Sequence, residues 1–435
     1  MNNKLVFFGL NEFNRNLLNE VSNILPKNNY LSKIKNLHSF SLLTEDKYES
    51  GYLEPWSQWV SLHTSTPSSN HKIKNLGDIP NLEYMQIWER LSKNNISSVV
   101  WGAMNASAGS SKLCKVFVPD PWVFSEDPKP NSLISFIALP RYLAKNYTSI
   151  KKTKVLSMMI TFIKKSIDHV GLIIFLKSLK IIFLGLIKFG PKQFVVINFF
   201  DYLCANAFIL SSKKHSSSFN FIFLNAIAHV QHHYWHSKKT KDLKEIIFTY
   251  KNIENILSIF DKELNIFSKN NDFILYNGLS QNTTLDEEPW YLYRIKDIDK
   301  FMTLANIKYK KIETLMTNDA HMVHSNLEQL NDALEILDSI NVNDKKFFFT
   351  EVDYKNLKIF FRIDFTNEIT SNTVIDINGA ENLFEDLVLK IVKRTGKHCQ
   401  ESNVIHNMDR ISNINSKSYL NHDLFKIIYP DLFKS

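Results

Sequence analysis

Four histidines fall within residues 229–236: His229, His232, His233 and His236. On a helix they stand at i, i+3, i+4 and i+7, along one face. Imidazoles so spaced can share a divalent cation, as a pair at i and i+4 does in zinc proteases. The same rings can also carry protons near neutral pH with no metal at all. The structural alternative is that one or two are hydrogen-bonded in the core while the others face water. A second group is Glu54-Pro55-Trp56-Ser57-Gln58-Trp59, followed by His63-Thr64-Ser65 and His71. Pro55 suits the first position of a helix, whose free amides would face an anion. Trp56 and Trp59, three apart, would share a side, either flanking a sugar or base or stapling the core. A third group is Gly396-Lys397-His398, which puts a histidine in a short turn. Asn277–Gln281 and Met316–His321 are polar stretches, and Asp319 with His321 or His324 reads as an acid/base pair or as a helix cap.

These residues need a frame. Leu5–Phe8, Ser98–Trp101, Phe219–Leu224 and Phe273–Tyr276 are short apolar runs with strand character. Helical patterns such as Asn14–Leu25 and Leu82–Leu91 lie between them. Alternation of this kind predicts an α/β fold, a mostly parallel sheet sandwiched by helices. Ligands then gather beyond the carboxyl ends of the strands, at Asn11/Glu12, Gly102–Asn105, Asn225–His233 and Asn277–Gln281. Phe347–Val352 and Leu357–Phe365 around Asp353-Tyr354-Lys355-Asn356 predict an antiparallel hairpin at a sheet edge. The expected organisation is 1–124 as the N-terminal part of the core, 125–215 as a helical insertion or cap, and 216–435 as the C-terminal part with the hairpin.

The chain has 435 residues, 44% hydrophobic and 22% charged, which excludes a disordered chain, a collagen and a disulfide scaffold. Lys+Arg 52 against Asp+Glu 44 leaves +8. Abundant Lys, Asn and Ile with only 11 Gly mark a compositional bias, so the basic charge does not argue for nucleic acid, and none is expected as a partner. Lys151/Lys152/Lys154 and Lys238/Lys239/Lys241 cluster, as solvated surface or as anion or membrane contacts. Cys114, Cys204 and Cys399 are too few and too far apart for a disulfide framework, which points to a reducing compartment. Lys4 precedes only a short apolar run, so no signal peptide is expected, and the expected location is cytoplasmic. Residues 170–190 are the most membrane-like segment. Lys177, Lys180 and Lys188 interrupt it, so it reads as cap helices or as a peripheral contact with lipid headgroups.

Taken in order, the motifs resemble the alkaline phosphatase-like superfamily, in its type I phosphodiesterase/nucleotide pyrophosphatase branch. Gly9-Leu10-Asn11-Glu12 stands where that branch has Gly-Leu-Asp-Gly. His63-Thr64-Ser65 with His71 is similar to its Thr-Gly…His-Gly-Ile stretch, and Ile227–Trp235 to its Asp-x-x-x-His-x-(Phe/Tyr)-Trp motif. Asp272–Gly278 occupies the place of a strand ending in Asp-His-Gly, and Gly396-Lys397-His398 resembles a late Gly-x-His. The resemblance implies a two-metal site transferring a phosphoryl or sulfuryl group from a Ser/Thr nucleophile. The departures fall on the machinery itself. The first Asp is Asn11, the nucleophile position is Pro55, the Asp before His232 is Ala228, and the Asp-His pair is Asn277-Gly278.

Two cations about 4 Å apart repel and are held together by carboxylates. With those lost, the expectation is at most one divalent metal, Zn or Mn, on His232 and His398 with His229. Glu12 or Glu54 would supply an oxygen or act as base, and Ser57 is the substitute nucleophile. Asn11, Trp56, Trp59 and Asn277 would bind substrate. The expected activity is that of a divergent phosphodiesterase-, phosphatase- or sulfatase-like hydrolase or transferase. Its substrate would be a small, glycan- or lipid-linked molecule bearing phosphate or sulfate. The alternative is a pseudoenzyme that binds an anionic or carbohydrate ligand without turnover.

Overall fold

The structure is a computed structural model and describes residues 4–45, 53–146, 150–268, 270–315, 318–414 and 419–434. The chain forms two compact units, Met1–Thr283 with Gly396–Ser435, and Thr284–Thr395.

The larger unit is built on a seven-stranded sheet. Its strands are β1 (Lys4–Leu10), β2 (His38–Leu43), β3 (Ser98–Ala103), β4 (Cys114–Pro119), β5 (Phe219–Leu224), β6 (Asn271–Tyr276) and a last strand, Glu401–His406. The spatial order is β2, Glu401–His406, β6, β1, β5, β3, β4. β6, β1, β5, β3 and β4 run parallel, whereas Glu401–His406 is antiparallel to both neighbours. β1 reads Lys-Leu-Val-Phe-Phe-Gly-Leu, with every residue after Lys4 buried. Such a run fits a central strand with helices on both faces, where neither side can be polar.

The helices are α1 (Arg15–Ile24), α2 (Tyr30–Lys35), α3 (Pro55–Thr64), α4 (Ser68–His71), α5 (Ile87–Lys93), α6 (Ile134–Lys145), α7 (Lys152–Val170), α8 (Leu172–Phe189), α9 (Gln193–His215), α10 (Ala226–Tyr234) and α11 (Lys244–Leu264). One face of the sheet packs on α1, α9 and α11 through Leu17, Phe208, Ile253 and Phe260, and the other on α3 and α5 through Trp59, Leu62 and Trp88. Asn14 caps α1, its side chain accepting from Leu17 N at 2.9 Å. α9 is the one helix among the described residues long and apolar enough to cross a membrane, and it is mostly buried. Fourteen of its 23 residues are buried, so it covers the sheet and is part of the core. Within the segment 125–215 expected as an insertion or cap, α9 is therefore core. A helix apolar on all sides looks alike in sequence whether it caps a site or fills a core.

α9 also fixes the histidine helix. The Asp201 carboxylate accepts from Asn225 N at 3.1 Å and Ala226 N at 2.8 Å, anchoring the start of α10. Burial pushes this carboxyl up to about 7, against the pull of those two N–H groups, with Asp120 adding to the rise. The folded state thus holds the proton more tightly than the unfolded chain. Stability is full at low pH and falls as pH rises from about 4 through about 7, by on the order of a few kcal/mol. Asp201→Asn keeps an acceptor oxygen and loses the titration. Between pH 5 and pH 8 the melting temperature of the variant should fall less than that of the parent; equal falls would refute the assignment.

The second unit is antiparallel. Phe348–Asp353, Lys358–Ile363, Asp319–Val323 and Lys311–Thr314 form a four-stranded sheet in that order, with helix Leu327–Ser339 sharing its core. The hairpin forms as the sequence predicts, and Phe348–Asp353 is an edge strand. It belongs to this unit's sheet. The expected division of the chain did not set 284–395 apart, since no Gly/Pro-rich linker marks either boundary. Asp319 and His321 lie on a strand, and His321 is buried, so the stretch is neither a loop nor a helix cap. Met316 and Thr317 lie outside the described residues.

Candidate metal centre

The carboxyl ends of β1, β5 and β6 meet along one rim of the sheet. β1 runs into Asn11-Glu12, β5 into Asn225 and α10, and β6 into Asn277. Glu401–His406 enters the sheet from that same rim because it runs antiparallel to β6. The strand before it, Gly396–Cys399, pairs with β7 (Ser280–Thr283), setting His398 opposite Gln281. That topology carries His398 to Glu12 across 386 positions of sequence.

Three ligand atoms converge there. Glu12 Oε2 lies 2.9 Å from His232 Nε2 and 3.0 Å from His398 Nε2, and the two Nε2 atoms are 3.1 Å apart. His232 Nδ1 donates to the Gly396 carbonyl at 3.1 Å, and His398 Nδ1 to the Leu53 carbonyl at 2.6 Å. A carbonyl only accepts, so both Nδ1 atoms carry the hydrogen, and in the neutral rings both Nε2 lone pairs face the carboxylate. Three lone-pair-bearing atoms about 3 Å apart require positive charge among them. A point about 2 Å from all three exists just above their plane, at the usual distance for Zn–N and Zn–O bonds. Glu12, His232 and His398 are the one group of this kind among the described residues. Burial would raise the Glu12 carboxyl, but with no cation bound the positive charge of protonated His398 and His232 outweighs it and holds it well below the usual carboxylate range. Two imidazoles and a carboxylate fit a single zinc-type cation.

Glu12 reaches this position at a backbone cost. Its φ is +59°, in the left-handed region, where a non-glycine residue is strained by roughly 1–2 kcal/mol. The resemblance puts a glycine there and an aspartate at Ala228. The neighbours of Glu12 hold it in place. Asn11 Nδ2 donates to Glu12 Oε1 at 2.9 Å, Gln281 Nε2 donates to Oε2, and Gln231 Nε2 donates to the Glu12 carbonyl at 2.7 Å. Gln231, Gln281 and Gly396 were not assigned roles from sequence, although the strand-end rule brackets the two glutamines.

Several expected roles change. His229 meets His233 edge to face, at 4.6 Å between ring centroids, and is not in the converging group. Three residues turn a helix by about 300°, so His229 and His232 point along different lines. α10 ends at Tyr234, so His236 does not continue the face. Asn11 Oδ1 accepts from Trp59 Nε1 at 2.8 Å, and its amide also donates to Asn225 Oδ1 at 2.8 Å; it positions Glu12, and both of its amide hydrogens are used inside the protein. Trp59 is wholly buried against Phe221, Phe223 and Tyr276, so it is a core residue and not a stacking platform. Asn277 is also buried, donating to the Phe13 carbonyl at 2.8 Å and accepting from Asn403 N at 2.8 Å, which consumes it in joining loops.

α3 begins at Pro55, beside the Leu53 carbonyl that orients His398. Glu54 precedes it, its carbonyl accepting from Ser57 N and Gln58 N, and its carboxylate is outside the converging group. Trp56 is half-buried, its indole N–H on the Lys74 carbonyl at 2.9 Å. The Ser57 hydroxyl is sealed in the interior, 1% exposed, so it offers a substrate no open face. His71 Nδ1 accepts from Ile73 N at 3.0 Å, so its Nε2 donates to Ser61 Oγ at 2.9 Å and does not activate that serine. His63 sits among Trp59, Trp88 and Phe221, and burial lowers it to about 3, so it stays neutral in the core.

No family model matches the chain, and no curated protein matches it. Among solved structures, phosphonoacetate hydrolase from Sinorhizobium meliloti 1021, in complex with phosphonoformate, aligns over 98% of this chain and 94% of its own, at 11% identity and TM-score 0.42. Human ectonucleotide pyrophosphatase/phosphodiesterase 5 aligns over 99% and 95%, at 10% identity and TM-score 0.45. Alkaline phosphatase from the Antarctic bacterium TAB5 aligns over 99% and 99%, at 12% identity and TM-score 0.39. These are proteins the chain is similar to, and the roles assigned to its site rest on its own residues.

Proposed function

We propose that the chain is a one-metal hydrolase of small anionic molecules bearing a phosphate or sulfate ester. The observation that carries the reading is the meeting of Glu12 Oε2 with the Nε2 atoms of His232 and His398 at 2.9–3.1 Å. Both imidazoles are locked by their Nδ1–H bonds, so the donor set is preorganised. A divalent cation bound there supplies Lewis acidity toward a phosphoryl or sulfuryl oxygen and lowers the pKa of water. Asn11, Gln231 and Gln281 hold the carboxylate that would balance its charge. The phosphate or sulfate class is supported by the ordered motifs. Pro55 has no hydroxyl and Ser57 is shut away, so the protein offers no nucleophile at the start of α3 and the acceptor is water or a second substrate.

Those same two residues favour a second reading, a site that binds its anion without turnover. One experiment separates the two. Protein purified without chelator should carry one equivalent of zinc or manganese by elemental analysis. It should hydrolyse at least one of p-nitrophenyl phosphate, bis-p-nitrophenyl phosphate and p-nitrophenyl sulfate, with loss on chelation. A panel of glycan- and lipid-linked esters tests the finer substrate class. Metal bound stoichiometrically with silence across every ester supports binding alone, and no metal at all removes the enzymatic reading.

A further inference from the structure

We infer that α7 and α8 together form a docking face for an anionic lipid surface, lying in its plane at headgroup depth. This inference is independent of the metal centre. The two helices are joined by Gly171 alone, whose φ of +83° makes the turn. The inward side of α8 is already satisfied. Phe175, Ser178 and Gly185 are buried, and a Cβ added at Gly185 would lie 2.4 Å from Val195 of α9, so the helices meet closely only because that residue is glycine.

The outward side is apolar as well. Leu156, Ile160, Ile173, Phe183 and Ile187 are each 63–72% exposed. Leu156 and Ile160 stand at i and i+4 on α7, and Ile173, Phe183 and Ile187 share the outward half of α8, so each helix shows an apolar stripe away from the core. Twelve of the 27 large apolar side chains exposed among the described residues are on these two helices. A concentration of that kind on a surface marks an interaction site.

Charge selects the occupant. Residues 145–192 hold ten lysines and one acidic residue, Asp168, a surplus of nine where the whole chain carries +8. Asp168 is itself bound to Lys165 at 3.3 Å. Two copies of this face would bring like charges together, whereas an anionic bilayer attracts them, at roughly 1 kcal/mol per lysine near the surface. Eighteen residues of α8 make a rod about 27 Å long, with Lys177, Lys180 and Lys188 along it. Spanning would bury those charges. Lying in the interface lets their stems rest on the apolar layer and their ammonium groups reach the headgroups.

The test is flotation of the full chain with vesicles of phosphatidylcholine alone or with 30% phosphatidylglycerol. The chain is expected to float with the anionic vesicles, less so in high salt, and to stay down with the neutral ones. Ile173→Glu/Phe183→Glu/Ile187→Glu should abolish flotation while the melting temperature holds. Lys177→Ser/Lys180→Ser/Lys188→Ser, which leaves the apolar face intact, should weaken it about a hundredfold. Failure of the folded parent to float overturns the inference, as does equal flotation with neutral vesicles. A parent dimer that the triple glutamate variant converts to monomer, without vesicle binding, assigns the face to a second copy and overturns it too.

Discussion

Alanine substitution of either His232 or His398 is expected to abolish binding of a divalent cation and to bring any ester hydrolysis to background. Either loss leaves two ligands of three, and the remaining imidazole and carboxylate bind a divalent ion far too weakly to retain it through purification. The two variants should therefore be indistinguishable in metal content, although the residues are 166 positions apart. Glu12→Gln separates charge from shape. The amide keeps an oxygen at the same place and loses the negative charge that offsets the cation, so metal affinity should fall by at least a hundredfold. Glu12→Gln also removes a buried carboxylate that both imidazoles hold well below the usual range. In the metal-free parent that ion contributes stability above the unfolded pKa of about 4.5, and the contribution is lost as pH falls through the lower folded value. Metal-free Glu12→Gln should lack that acid-sensitive component. Calorimetry of zinc binding to the three variants and the parent reads the affinities, ester assays read turnover, and melts of the metal-free proteins across pH read the acid-sensitive component. Retention of one equivalent of metal by either histidine variant would show that the rings do not share an ion.

The sequence made the centre of the sheet legible and left its margins obscure. β1 and β5 are buried on both faces, so their runs Leu-Val-Phe-Phe and Phe-Asn-Phe-Ile-Phe-Leu stand out. β2 reads His-Ser-Phe-Ser-Leu-Leu and the last strand Glu-Ser-Asn-Val-Ile-His, mixtures that carry little apolar signal. Those two are one edge strand and its antiparallel neighbour, and the short strand just before the latter, Gly396–Cys399, carries His398 to the rim. For the site, the order of motifs picked out His232 and His398, and Glu12 stood as one of two carboxylates. What decided for Glu12 was a left-handed backbone conformation that composition and spacing do not disclose. Helical spacing suggested His229 as a ligand, but spacing gives a face and not the direction of a ring. Trp59 and Asn277 illustrate the converse error. A tryptophan near an expected anion site and an asparagine at a strand end look alike whether they meet a ligand or, as here, pack and hydrogen-bond inside.

The residue type at 396 tests whether the shell around the three ligands matters. A Cβ on Gly396 would fall 2.3 Å from Gln281 Oε1 and 2.5 Å from the Gln231 carbonyl. Both glutamines hold Glu12, and the Gly396 carbonyl itself orients His232. One methyl group therefore presses on three supports of the centre. Gly396→Ala should fold, with a cost of about 1–3 kcal/mol from overpacking. Its larger effect should be on the site, because a displacement on the order of 1 Å in a catalytic constellation costs about a hundredfold in rate. Metal affinity should fall at least tenfold. Trimming the flexible partner does not relieve the clash, since the Gln231 carbonyl is backbone and cannot step aside. Gly396→Ala/Gln281→Ala should accordingly stay impaired. Parent-like zinc affinity in Gly396→Ala would mean the strand can shift without disturbing His232, and the preorganisation argued for the centre would fail with it.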